Sequence, residues 1–106
     1  MQQSIRCENR NDANGNPAGG FVVGEGIYIN WQNGPLGRGP DRQQPNGAFV
    51  EGVIEAAAQR IRYYQASKFA CEHNAKALEH LEAALAQLKA RTAEREDRHV
   101  EGTHLE

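Results

Sequence analysis

From Cys71 onward the chain sets apolar and small polar residues at alternating three- and four-residue steps. The series is Cys71, Asn74, Leu78, Leu81, Leu85, Leu88, Thr92 and Arg95. A repeat of about 3.5 residues is the seam of paired helices. Alanines at 70, 75, 77, 83, 84, 86 and 90 keep the flanks thin, so a neighbouring helix can approach closely. Upstream, Val50, Ile54, Ala57, Ile61 and Tyr64 step in the same way and predict a first helix, with Asn46 as its N-cap. A break at residues 65–68, with Ser67 capping the second helix, folds the two into an antiparallel hairpin. One bent helix is the alternative at that boundary.

The first half obeys a different period. Ile27, Ile29 and Trp31 alternate with Tyr28, Asn30 and Gln32, the rhythm of a half-buried strand. Phe21–Val23 predicts its neighbour, joined through Gly24-Glu25-Gly26, and Ser4–Glu8 predicts a third, shorter strand. The segment NRNDANGNPAGG reads as a loop, with Asn14-Gly15 as a turn signal. Ten of the eleven glycines fall at or before Gly52 and all four prolines before residue 48, so helix is confined to the second half. The expected fold is α+β. Residues 1–47 form a small antiparallel sheet and a loop carrying Arg38 and Arg42; residues 48–106 form the helical hairpin and a C-terminal tail. Such a sheet is marginal alone and must pack on helices or another chain.

Composition narrows the means of stabilisation. A 106-residue chain is one small domain, and such scaffolds rely on disulfides, a metal or partner chains. Cys7 and Cys71 form no disulfide framework and suit a reducing cytoplasm. His73 and His80, with Glu72 and Glu79 beside them, are too sparse for a metal centre, and no cofactor motif is present. Self-association remains. The net charge of −2 argues against a general nucleic-acid binder. No apolar run reaches the length of a membrane span, and MQQSIRCENR has no signal-peptide core, so a soluble intracellular protein is expected. Leu105-Glu106 matches a vector-derived dipeptide ahead of an affinity tag and carries no weight.

Catalytic signatures are absent from the sequence. There is no phosphate-binding loop with a lysine, no serine nucleophile elbow and no Cys–His pair. Cys71 reads as a small core residue, and nothing complements His99 or His104 for acid–base work. The chain is expected not to be an enzyme.

What remains is the polarity at the ends of the leucine seam. Asn74 is either a register device or a group that reads a base edge. Arg91 and Arg95, one turn apart, are either a solvated helix end or a pair of forked donors for phosphate. Tyr63 and Tyr64 close the first helix, where a base could stack on them. Arg38 and Arg42 sit in the glycine-rich stretch 33–47, either as part of a solvated connector or as a clamp on an anion. Asn74 and Arg91 are 17 residues apart on one helix, roughly 25 Å. They can meet one small ligand only across an interface between chains.

The segments NGAFVEGVIEAAAQRI, CEHNAKALEHLEAAL and RTAEREDRHVEGTHLE, with GIYINWQNGPL, resemble the helical-hairpin domain of phage anti-defence sponges over roughly residues 20–104. One branch of that family is Thoeris anti-defence proteins that trap glyco-cyclic ADP-ribose; its sister branch is anti-CBASS proteins that trap cyclic di- and trinucleotides. The strand and hairpin ahead of the helices resemble the Thoeris branch. The resemblance implies a homo-oligomer, a hexamer ahead of a dimer, that binds cyclic nucleotides uncleaved in the host cytoplasm, without membrane or polymeric nucleic acid. It implies an inter-chain pocket of Tyr64, Asn74, Arg91 and Arg95, with Arg38 or Arg42 as a loop arginine. It also implies a second, cyclic-oligonucleotide site at Arg98, Val100, Gly102 and Thr103. Here Arg98-His99 replaces the family's Arg-Gly ahead of VEGTH, and His adopts a left-handed turn less readily than Gly. Two other readings stand beside this one: a coiled-coil structural or protein-interaction module, and a small DNA-binding regulator that the acidic balance disfavours.

Overall fold

The computed structural model describes residues 4–105; Glu106, the second residue of the vector-like dipeptide, lies outside them. The chain divides into two compact units. Among the described residues, one holds 4–49 and 99–105, and the other is Val50–Arg98.

The first unit is a three-stranded antiparallel sheet in the order β1-β2-β3, with β1 Ile5–Asn11, β2 Pro17–Gly24 and β3 Ile27–Asn30. Both outer strands are hairpin neighbours of β2. β1 and β2 run further into NRNDANGNPAGG than the glycine and asparagine content predicts, and Asp12 is the reason. Its Oδ1 accepts from the backbone N–H groups of Asn14 at 2.8 Å and Asn16 at 3.0 Å, which confines the turn to a few residues. The Asn16 N–H is the main cause holding the Asp12 carboxyl below its ordinary pKa. One face pairs Cys7 with Val22 and Val22 with Ile29. On the other, Arg6 and Arg10 of β1 bracket the Phe21 ring at 5.6 and 5.7 Å.

The chain pairs with itself at the end of β3. Ala48 donates to Asn30 O at 2.7 Å and accepts from Gln32 N at 2.9 Å, forming a parallel bridge beside Trp31. Gly47 has to be glycine there, since a Cβ would stand 2.6 Å from the Trp31 carbonyl. Asn46 is no helix cap: α1 starts four residues later, at Val50. Its side chain instead closes the base of the loop, accepting from Asn33 N at 2.8 Å and donating to Asn33 O at 2.9 Å.

The second unit is the helical hairpin, α1 Val50–Gln65 and α2 Glu72–Asp97. Ala58 on α1 and Leu85 on α2 are the buried hydrophobic residues among those described. Arg62 reaches Glu82 across the helices at 3.8 Å, and four residues back and three on lead to Ala58 and Leu85. The seam of α2 turns inward as its spacing predicts at Asn74, Leu78, Leu81, Leu85, Leu88 and Arg95, whereas Cys71 and Thr92 are exposed. On α1 the inward positions are Glu51, Val53, Ile54, Ala58, Ile61 and Gln65. Ile54 and Ile61 are as expected, but Val50, Ala57 and Tyr64 lie on exposed surface.

The turn between the helices also differs in detail. Ser67 stays with the end of α1, donating from Oγ to Tyr64 O at 2.6 Å. Cys71 caps α2 instead, its Sγ accepting from Asn74 N at 3.4 Å. Cys71 is thus an exposed cap and not the core residue its seam position implied. No helix among the described residues is long and apolar enough to cross a membrane.

Candidate functional site

The candidate residues fall in three places. At the turn end of the hairpin, the last two turns of α1 carry Arg60, Tyr63 and Tyr64, and the first turn of α2 carries Asn74. Asn74 Nδ2 donates to Phe69 O at 3.4 Å, a long contact across the turn. Tyr63, Tyr64 and Phe69 are 62%, 37% and 66% exposed, which makes this end an uncovered aromatic surface. The two tyrosine rings stand 6.1 Å apart and tilted by 54°.

Arg60 joins that group. Its Nε donates to Tyr64 Oη at 3.2 Å. Its guanidinium carbon lies 4.8 Å from the Tyr63 centroid and 5.1 Å from that of Tyr64. The Tyr64 hydroxyl is the main cause raising the Arg60 pKa above its ordinary value. The signal was available: an arginine three and four residues ahead of two tyrosines on a helix shares their face.

At the far end of α2 lie Arg91 and Arg95. Arg91 is exposed, and among the described residues it has no ion pair or side-chain hydrogen bond; Arg95 is half-buried. One turn separates them. The length of α2 between Asn74 and Arg91 keeps the two polar ends of the seam roughly 25 Å apart, so a single hairpin does not bring them together.

The third place is the loop of the sheet unit, and the tail is bound to it. Gly37 N donates to Gly102 O at 2.8 Å. Arg42 forks onto the Glu101 carboxylate, Nη1 to Oε2 at 2.7 Å and Nη2 to Oε1 at 3.0 Å. Arg38 Nη1 donates to the Glu101 carbonyl at 2.9 Å. A 3-10 turn at Gly39–Asp41 and a 2.7 Å bond from Gln43 N to Leu36 O order the loop between its arginines. The connector expected from glycine content is therefore a folded platform. Glu101, absent from the expected site residues, is the group that organises both arginines.

Of the remaining tail residues, Val100 O accepts from both the backbone N–H and the hydroxyl of Thr103. Gly102 has φ +80, and a Cβ there would press on the Gly37 carbonyl. Arg98 closes α2, its N–H donating to Glu94 O. His99 then takes φ 58, the left-handed conformation that a glycine holds more easily. No group of three or more His, Cys, Asp or Glu side chains suited to a metal occurs among the described residues.

Comparison with known proteins adds two findings. Residues 24–93 match the family described as Acb2/Tad1, hairpin domain. That span holds Arg38, Arg42, Tyr64, Asn74 and Arg91, and stops short of Arg95 and the tail. The chain is also 45% identical over 82 residues to a protein of Bacillus phage SBSphiJ7 named Thoeris anti-defense 1. The aligned part is 77% of this chain and 55% of the phage protein, so the chain spans about half the length of that relative.

Proposed function

Because the chain belongs to the Acb2/Tad1 hairpin-domain family, we propose that it is a phage-encoded anti-defence sponge. It binds cyclic-nucleotide immune signals in the infected host's cytoplasm and withholds them without cleaving them. The observation that carries this reading is the family match over residues 24–93, the span that holds both Tyr64 with Asn74 and Arg91. Glyco-cyclic ADP-ribose is the proposed principal ligand.

In the proposed pocket a base stacks on Tyr64 and is read by Asn74. Arg91 and Arg95 of a second copy supply forked donors to the phosphates. The separation of the two ends supports a pocket shared between chains, since neither end alone offers both stacking and paired cations. Assembly has a surface available: Val50, Ala57 and Tyr64 recur at seven-residue steps on exposed α1. A homo-oligomer, a hexamer ahead of a dimer, buries that stripe and completes the pocket together. Arg38 and Arg42 join a ligand only by exchanging the Glu101 carboxylate for a phosphate. Arg98, Val100, Gly102 and Thr103 form the proposed second site for cyclic oligonucleotides.

A sponge must outcompete a sensor. Nanomolar affinity corresponds to about −12.3 kcal/mol, which base stacking and charge-assisted bonds in a closed interface can supply. Calorimetry against cyclic ADP-ribose isomers and cyclic di- and trinucleotides tests the reading. Arg91→Ala and Arg95→Ala should each cost about 1.5–3 kcal/mol of binding, with the mass in solution unchanged. Unaltered affinity in both variants removes these arginines from the pocket. Indifference to every cyclic nucleotide, with a protein partner captured instead, favours the interaction module that the exposed stripe also suits.

A further inference from the structure

The two arginines near the end of α1 have different company. Arg62 pairs with Glu55 at 3.2 Å and Glu82 at 3.8 Å, an ordinary surface network that ties the helices. Arg60, two residues earlier, has no carboxylate partner among the described residues. It lies against two exposed tyrosine rings and bonds the hydroxyl of one. Among the described residues it is also the partner of that hydroxyl.

We propose that Arg60 is a positioning residue that holds Tyr63 and Tyr64 in a receptive geometry before a planar ligand arrives. This rests on the sponge reading and deepens its aromatic site. Helical spacing places the guanidinium beside both rings without strain, Tyr63 at three residues and Tyr64 at four. The rings stand 6.1 Å apart and tilted by 54°, inside the range of an edge-on aromatic pair, so Arg60 and the ring-to-ring contact brace the same two side chains. An exposed tyrosine left to itself samples several rotamers, and fixing it on binding weakens affinity. Arg60 removes that cost by fixing the ring in the free protein, through the hydroxyl and the ring face together.

The test is calorimetry with glyco-cyclic ADP-ribose on the full chain, comparing wild type, Arg60→Gln, Tyr64→Phe and the double variant at two salt concentrations. Aromatic NMR of the free proteins follows the ring signals of Tyr63 and Tyr64. Arg60→Gln should weaken binding about tenfold, with an unchanged melting temperature, an unchanged salt slope and shifted ring signals. Tyr64→Phe should weaken it less, and the double variant should be no weaker than Arg60→Gln alone. Equal losses that add in the double variant, with a shallower salt dependence, mean that Arg60 touches the ligand directly and overturn the proposal. Undisturbed ring signals in free Arg60→Gln overturn it as well. If wild type binds no cyclic nucleotide at all, the sponge reading itself fails, an outcome distinct from wild-type binding that Arg60→Gln leaves intact.

Discussion

His99 and Gly102 sit three residues apart in the tail, and both have positive φ, yet they make opposite demands. His99 holds a left-handed turn that costs a side-chain-bearing residue about 1–2 kcal/mol, so His99→Gly should raise the melting temperature. Gly102 has no alternative. A methyl group there meets the Gly37 carbonyl, so Gly102→Ala should detach the tail from the loop and lower the melting temperature. A thermal melt of the two variants checks both signs; a stabilising Gly102→Ala would contradict the docked tail. Single residues were unevenly legible in the sequence. Asn74 and Arg95 turn inward on α2 as their spacing predicts. The fork of Arg42 on Glu101 spans 59 positions, and no local pattern announces such a pairing. Cys71 was misread because sulfur is a weak acceptor, while Ser67 has the hydroxyl that caps usually use.

At the scale of elements, α2 was the most legible and α1 only partly so. Leucine marks the inner face of α2 without ambiguity. On α1, Ala56, Ala57 and Ala58 follow one another, and hydropathy alone does not say which of the three faces in. Packing chooses Ala58, opposite the level of Leu85, and so turns Val50, Ala57 and Tyr64 outward. Alternation marks β3, but the extent of β1 and β2 depends on the hydrogen bonds of Asp12, which composition does not reveal. Leu85 is the larger of the two buried side chains that hold the hairpin. Leu85→Ala should therefore cost about 2–5 kcal/mol, measured by denaturant unfolding. A loss near that of an exposed substitution would mean that the helices are held mainly by something other than this contact.

For the whole molecule, the order of a small sheet followed by a helical hairpin was readable from the change in period near residue 47. The place of the tail was not. Its hydrogen bonds run to the loop at Gly37, Arg38 and Arg42, pairings that no local pattern announces. Among the described residues Ala58 and Leu85 are the buried apolar side chains, few for a chain of this length, and Val50, Ala57 and Tyr64 form an exposed stripe on α1. Assembly and ligand binding are thus proposed to share one surface, with each chain lending Tyr64 and Asn74 to one pocket and Arg91 and Arg95 to another. Native mass spectrometry of the protein with glyco-cyclic ADP-ribose, followed by denaturation and mass analysis of the released ligand, tests this most directly. The account predicts an oligomer carrying one ligand for each pocket, released at its original mass. A monomer that binds the ligand, or a ligand recovered as a hydrolysed product, would contradict it.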